Sequence, residues 1–373
     1  MTTLRDHFRN FDKARRRNSR WLETLLFKLL SRCSRTKVEA VPAQQVKKIL
    51  VMRSNKRIGN MLFLIPFLRQ LKAKYPHAKL DILIHSPSQR CIFEGLGINH
   101  VFTTQLSFKN VPKTIKLVST LRRQHYDLIF MPYSSTTDTW LGAFIHGCNK
   151  IARHFGNRDL IFRHSVEVPK QRVHAALAAL PLLQEGNSWA SHAMALSSDE
   201  RKAGWQAAEA LRGQQGITLS FFRGARGGKA LSDNYWQLLF ASIERQLPVP
   251  VTWVEVLSPD ISAPLLAQGP TFSSANFRHL AATLASLDGF ICGDTGPLHL
   301  ADAAGARCFG LFNQTDPTVF GCMGPSCLDL QADDLEAAAE RIADQFNKEL
   351  LLKQGSFAPQ QIEGPSGPLV AAV

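Results

Sequence analysis

The sequence predicts an α/β protein made of two parallel-sheet units. Three observations carry that prediction. Short apolar runs between polar ends recur along the chain, helical periodicity separates them, and the alternation pauses near residues 186–197 before starting again. Strands that alternate with helices point to parallel sheets covered on both faces. With 373 residues, 45% hydrophobic and 20% charged, the chain is long enough for one large or two ordinary domains.

Taken in order, Lys48-Ile-Leu-Val-Met-Arg53 reads as a strand, Ile58-Gly59 as a turn and Met61 to Tyr75 as a helix. Further strands fit Leu80 to Ile84 and Leu128 to Pro132, with helices over Thr114–Gln124 and Thr139–Gly147. Residues 173–185 have helical character, and the polar, turn-rich run Glu185 to Ser191 follows them. The second unit reads helix 198–212, strand 216–222, helix 232–246, strand 250–257, helix 276–287, strand 289–293, helix 297–304 and strand 307–312. The expected domains are therefore a basic amphipathic head over 1–46, a first unit over 47–190, a second over 191–350, and a Pro/Gly/Ser-rich tail over 351–373 expected to be disordered.

Composition removes several classes. No window holds the roughly 18 apolar residues of a spanning helix, since the richest stretch, Trp21 to Leu30, is interrupted by Glu23, Thr24 and Lys28. The same interruptions, with no small-residue cleavage site after Cys33, argue against a secretory signal, so the expected location is cytoplasmic. Seven scattered cysteines read as reduced thiols packed as small apolar groups. Cys322 and Cys327, the one close pair, have no neighbouring His or Cys in sequence, which argues against a zinc site.

The net charge of +14 is uneven, because residues 1–40 hold 11 basic and 4 acidic side chains. Arg5, Arg9, Lys13 and Arg15 to Arg20 precede Trp21, Leu22, Leu25, Leu26, Leu29 and Leu30, whose spacing lines one helical face. Cationic residues near an anionic surface are worth about 1 kcal/mol each, so one reading of the head is a peripheral membrane anchor. The other is a helix packed on the protein's own surface. Nucleic acid is not an expected partner, since no recognisable fold for base readout accompanies the basic run.

Ligands of open α/β sheets bind outside the carboxyl ends of the strands. The strongest candidate there is Asp294-Thr-Gly-Pro-Leu-His299, directly after strand 289–293. Pro297 suits a first helical turn, so Thr295 and Gly296 would present a helix N-terminus that attracts phosphate. His299 either donates to a phosphate or ribose oxygen or is satisfied inside the seam between the units, and Asp294 either caps the helix, holds a ribose hydroxyl or orders the loop. A second candidate is Arg223-Gly-Ala-Arg-Gly-Gly-Lys229, in which Gly224 permits close backbone approach and Lys229 supplies a cation for a diphosphate. It is neither a P-loop, which fails at Ala230, nor a GxGxxG turn. The third is Arg53 to Asn60, where Lys56 and Arg57 beside a glycine favour an anionic acceptor or form a solvated turn.

These blocks, in this order, resemble glycosyltransferase family 9, the bacterial heptosyltransferases of lipopolysaccharide core assembly. The resemblance runs over about residues 47–345 and rests on Ile49 to Arg53 with Ile58-Gly-Asn-Met-Leu and Pro66, on Gly224-Ala225 with Lys229, and on Asp294 to Ala301 with Leu311-Phe and Thr315-Asp-Pro317. It implies the GT-B architecture, two Rossmann-like domains facing across a cleft. It also implies inverting transfer of a sugar, usually from ADP-heptose, to an anionic lipid-linked core saccharide, with no metal or other cofactor. The enzyme would work peripherally on the inner face of the inner membrane. Carried over by position, Gly224, Lys229, Asp294, Thr295, Gly296, Pro297 and His299 become donor contacts, with Lys229 also the catalytic cation near the leaving phosphate, and Lys56, Arg57 and Asn60 become acceptor contacts, Asn60 at the catalytic position of the usual base.

One position departs from the family pattern. An Asp, the presumed general base, usually follows the glycine of the first block, and this chain has Asn60. An amide takes no proton at neutral pH, so a base worth typically 10² to 10⁴ in rate must lie elsewhere or be lost. Asp138, Glu94 and His85 are the candidate replacements, and Glu255 is a weak match to a glutamate that assists the donor in some relatives. The alternatives to a transferase are a non-catalytic nucleotide-sugar-binding relative that has lost its base and a different nucleotide-sugar enzyme on the same fold, such as an epimerase.

Overall fold

Helix α1 (residues 24–31) leads into β1 (Lys48–Arg53), whose five residues after Lys48 are all buried, as in a strand covered on both faces. The computed structural model describes residues 24–34, 36, 39–104, 110–168, 173–184, 191–225, 227–261 and 263–355. The helix expected over Met61 to Tyr75 is two helices, α2 (Ile58–Leu62) and α3 (Ile65–Lys74). Pro66 explains the break: it has no N–H for the carbonyl four residues back, and it sits in the first turn of α3.

The first sheet continues with β2 (Lys79–Ile84), β3 (His100–Thr103), α4 (Val111–Arg122), β4 (Tyr126–Met131), α5 (Thr136–Phe144), β5 (Gly147–Arg153) and β6 (His164–Val166). The second contains α6 (Ser198–Glu209), β7 (Ile217–Phe222), α7 (Asp233–Gln246), β8 (Val251–Val256), β9 (Thr271–Phe272), α8 (Phe277–Leu284), β10 (Gly289–Gly293), α9 (Gly296–Ala304), β11 (Cys308–Phe312), α10 (Pro317–Phe320), β12 (Leu328–Gln331) and α11 (Leu335–Gly355). Strand order is β3-β2-β1-β4-β5-β6 in one sheet and β12-β11-β10-β7-β8-β9 in the other. Every ladder is parallel. These are the two Rossmann-like α/β sheets that the sequence predicts.

Three expectations need correction. Of the helix expected over 173–185, the described residues 173–184 form no α-helix, only a short 3-10 turn over Leu180–Leu183, because tertiary partners take their backbone groups. The Ala175 N–H donates to the Val319 carbonyl at 2.8 Å, and the Ala175 carbonyl accepts from the Tyr133 hydroxyl at 2.9 Å. Gly147 ends no helix but opens β5, a strand whose apolar pattern is hidden by buried Asn149 and Lys150. The tail expected to be disordered from residue 351 begins as helix, since α11 reaches Gly355; residues 356–373 lie outside the described residues.

One apolar cluster crosses both units, joining Leu62 and Phe67 to Leu298 and Leu300. It seats α2 against α9, and that contact positions the site described below. In the head, residues 1–23, with Trp21, Leu22 and most of the basic run, lie outside the described residues. Within α1, Phe27 and Leu30 are buried in the core of the first sheet, and the Phe27 ring meets Trp140 at 6.5 Å between centroids. Leu25 and Leu29 on the same helix are 55% and 59% exposed, so α1 packs on the protein while presenting a second apolar edge outward.

That division is testable. Phe27→Ala should cost roughly 3–5 kcal/mol, as expected for truncating a buried aromatic ring. Leu25→Ala should stay within about 0.5 kcal/mol. Urea denaturation giving equal midpoints for the two variants would show that α1 does not pack as described.

Candidate active site

β10 is buried along its whole length and delivers Asp294 and Thr295 to the carboxyl edge of the second sheet. Thr295 is the N-cap of α9, but its side chain makes no capping hydrogen bond; its hydroxyl lies 3.1 Å from the Cys292 sulfur. The Thr295 side chain therefore leaves the α9 N-terminus uncapped, Pro297 removes one first-turn N–H outright, and the Leu298 N–H meets the buried Cys292 sulfur.

Asp294 organises what surrounds that helix end. One carboxylate oxygen accepts from Lys229 Nζ and, at 2.6 Å, from the Thr315 hydroxyl; the other lies 3.2 Å from His299 Nε2. Burial pushes the Asp294 carboxyl up, but the hydrogen bonds from His299, Lys229 and Thr315 together outweigh it and hold the group well below the usual carboxylate range. Lys229 comes from the loop between β7 and α7, whose course is fixed by a 3.0 Å bond from Asn313 Nδ2 to the Gly228 carbonyl. Two loops at the carboxyl edge and helix α9 thus converge on one anion.

α2 closes the cluster from the first sheet. Gly296 lies beside Ile58 and Gly59, and a Cβ on Gly59 would stand 2.8 Å from His299 Cδ2. Only a glycine admits the imidazole at this distance. The His299 ring packs 4.6 Å from the Phe63 ring, and its Nδ1 is buried with no partner among the described residues.

The candidates from sequence separate accordingly. Lys229, Asp294, Thr295, Gly296, Pro297 and His299 come together around the α9 N-terminus. Gly224 packs beneath the Phe222 ring, and neighbouring Arg223 is committed to Glu255 at 2.7 Å and Asp233 at 3.0 Å. Glu255, 2% exposed and paired, is an anchor for that loop. Lys56 and Arg57 are exposed on the loop entering α2, and Asn60 is half-buried beside Gly59.

Among the replacement bases, Glu94 faces Arg278 at 3.5 Å, and His85 is pushed down by burial and by Lys56. Asp138 is fully buried at the start of α5, where it accepts from the Ser54 N–H at 3.2 Å and from the Ser54 hydroxyl. Burial raises its carboxyl above the ordinary value despite those hydrogen bonds.

Comparison with known proteins shows the family and the fold. Residues 114–350 match the family model described as glycosyltransferase family 9 (heptosyltransferase). The chain belongs to this family. Lipopolysaccharide heptosyltransferase 3 of Escherichia coli K12 is 30% identical over 109 residues, 27% of this chain. The chain spans about 30% of that relative's length. Two solved structures share the fold: E. coli heptosyltransferase WaaC with ADP, at 15% identity and TM-score 0.63 over 81% of this chain and 99% of that one, and E. coli ADP-heptose lps heptosyltransferase II, at 14% identity and TM-score 0.66 over 82% and 99%. The architecture is GT-B, and glycosyl transfer is the family's reaction class. No helix among the described residues is long and apolar enough to cross a membrane.

In this family 9 chain, sequence reasoning left two contributors out of the site. Thr315 stands in the third block, but nothing in the spacing shows that it reaches Asp294. Phe63 follows the first block, and its contact with His299 exists only because α2 and α9 pack together.

Two outcomes follow. Gly59→Ala must displace His299, and overpacking of this kind should cost about 1–3 kcal/mol, whereas Asn60→Ala next to it should stay within about 0.5 kcal/mol; equal denaturation midpoints would contradict the contact. Because the folded-state pKa of Asp294 is depressed, its contribution is present above the unfolded carboxylate range, near pH 4, and is lost as pH falls through the folded value. Asp294→Asn should therefore be destabilising at pH 7 and progressively less so toward pH 2. A penalty that does not shrink with acid would remove the carboxylate charge from the account.

Proposed function

We propose that the protein is an inverting transferase that moves a heptose from a nucleotide-sugar donor, ADP-heptose, to a lipopolysaccharide core acceptor. The observation that carries this reading is the Asp294 cluster, with Lys229 and His299 held at a helix N-terminus that lacks a side-chain cap. Such an end attracts phosphate, and a lysine adds a point charge for the leaving diphosphate. His299, Thr295, Gly296 and Pro297 line the donor position, with Gly224 at its border. Lys56 and Arg57 face the phosphates and carboxylates of the acceptor.

In the reaction the acceptor hydroxyl attacks the anomeric carbon. A glycosidic C–O bond forms as the bond to the phosphate oxygen breaks, and ADP leaves with the bonding pair. Lys229 and the α9 N-terminus meet the charge that develops on the departing phosphate, so no metal is required there. The acceptor proton passes to Ser54 as the Ser54 hydroxyl proton passes to Asp138, whose raised basicity suits the role. Asn60 then orients the acceptor by hydrogen bonding. The basic head and the exposed Leu25 and Leu29 support an enzyme resting on an anionic surface, the cytoplasmic face of the inner membrane, where a lipid-linked acceptor is presented.

Transfer from labelled ADP-heptose to purified heptose-deficient core acceptors tests the reading. Wild type should turn over. Lys229→Ala should weaken donor affinity roughly ten- to a hundredfold, the worth of one charge-assisted hydrogen bond. Ser54→Ala and Asp138→Asn should each lower kcat by about 10² to 10⁴, and Asn60→Asp should keep or raise it. Wild type that binds ADP-heptose but transfers to no acceptor would favour a non-catalytic binding protein, the reading that Asn60 supports. Undiminished turnover of Ser54→Ala would remove the relay.

A further inference from the structure

At the opposite end of α9 from the donor cluster, three thiols far apart in sequence meet. Cys308 opens β11, Cys322 lies in the turn after α10, and Cys327 directly precedes β12. Their sulfur atoms all lie within 4.8 Å of one another, and none is in a disulfide. Cys308 supplies the partner that Cys322 and Cys327 lack in the local sequence.

Packing as small apolar groups would account for Cys308, which is fully buried, but not for the polar frame around the other two. Asp302, 4% exposed on α9, places Oδ1 3.4 Å from Cys327 Sγ. The same carboxylate accepts from the Met323 and Gly324 N–H groups, each at 2.8 Å, and lies 3.2 Å from His192 Nε2. These bonds fix the carboxylate against the Cys327 thiol.

We propose that Cys308, Cys322, Cys327 and Asp302 form a binding site for one zinc ion. With Zn–S near 2.3 Å and Zn–O near 2.1 Å, a tetrahedral site sets its sulfurs about 3.8 Å apart and its oxygen about 3.6 Å from each sulfur. The Asp302 Oδ1-to-Cys327 Sγ distance already matches, the thiols need to close on one another by at most about 1 Å, and Cys308 and Cys322 must turn toward Oδ1 to complete the site. A sulfur-rich tetrahedral donor set selects zinc over magnesium or calcium. His192 supplies the outer hydrogen bond that orients a ligating carboxylate.

The ion would be structural. Asp302 is six residues past Gly296, about 9 Å along the axis of α9 at 1.5 Å per residue, which keeps the ion away from the reacting sugar. It would pin the turn over residues 321–327 to β11 and α9. That turn begins at Gly321, whose carbonyl lies 3.0 Å from His174 Nε2, and follows Phe320, whose ring is 6.5 Å from Phe63.

The test uses the full-length protein, reduced, stripped with a chelator and titrated with cobalt(II) and then zinc(II). One cobalt per chain should give the visible absorption of a tetrahedral site with sulfur-to-cobalt charge transfer, and one equivalent of zinc should abolish both. Cys308→Ala, Cys322→Ala and Cys327→Ala should each lose the signal, His192→Gln should weaken binding by roughly 10–100-fold, and Cys33→Ala and Cys148→Ala should leave it intact. An octahedral cobalt spectrum in wild type, or a tetrahedral one that survives in the Cys322→Ala/Cys327→Ala double variant, would overturn the proposal. If single variants fail to fold, alkylation of wild type decides: zinc should shield Cys322 and Cys327, the two partly exposed thiols of the site, and no shielding of either overturns it.

Discussion

The buried carboxylate of Asp294 is the constraint around which the cleft is arranged. A charge at this depth is tolerated only when it is paired and hydrogen-bonded, and its partners come from three places: Lys229 after β7, Thr315 after β11 and His299 within α9. Satisfying one anion therefore sets the relative course of two loops and a helix. Through His299 the constraint crosses to the other sheet, because the imidazole held by Asp294 is the group against which Gly59 packs. The chemistry of one residue and the seating of α2 on α9 are the same physical fact.

Lys229 consequently has two anions to serve. It lies against Asp294, and in the proposed reaction it also meets the leaving diphosphate. The two roles are compatible because Thr315 and His299 share the carboxylate's demand, so the ammonium need not carry the whole neutralisation. Asp294 in turn holds the long lysine side chain in place, so less rotamer freedom is lost when a phosphate arrives.

Much of this was legible in the sequence, for identifiable reasons. The central strands β1, β7 and β10 are covered on both faces; β1 and β10 read as apolar runs, and β7 does so apart from buried Thr218 and Ser220. The α9 N-terminus announces itself through Gly296 and Pro297 immediately after a strand. What stayed hidden depends on partners distant in sequence. β5 carries Asn149 and Lys150 inward: Asn149 Oδ1 accepts from the Val41 N–H at 2.7 Å, and Lys150 Nζ donates to the Gly142 carbonyl at 2.7 Å, so polar residues fill positions where the pattern leads one to expect valine or leucine. Residues 173–185 have helical composition, yet Val319 and Tyr133 claim the backbone of Ala175. The thiol cluster is a stronger case, since no local spacing links Cys308 to Cys327 until β11 and β12 lie side by side.

The same distinction bears on Asn60. The position is recognised because it follows a glycine that can be nothing larger, yet the amide that occupies it cannot do proton chemistry. Asp138 is 78 residues away in sequence, and its link to the first block exists only because β1 and β4 are neighbours, which brings the start of α5 beside Ser54. Its basicity is set by burial in a place no solvent-facing carboxylate could match. A buried acid has no direct route to substrate, so in the proposed relay the half-buried Ser54 hydroxyl is what connects the carboxylate to the acceptor. With an amide at Asn60 on α2 and a buried carboxylate at Asp138 on α5, the proposed relay keeps the proton acceptor away from the acceptor's own phosphates, whose negative charge beside an exposed carboxylate would raise the electrostatic cost of binding.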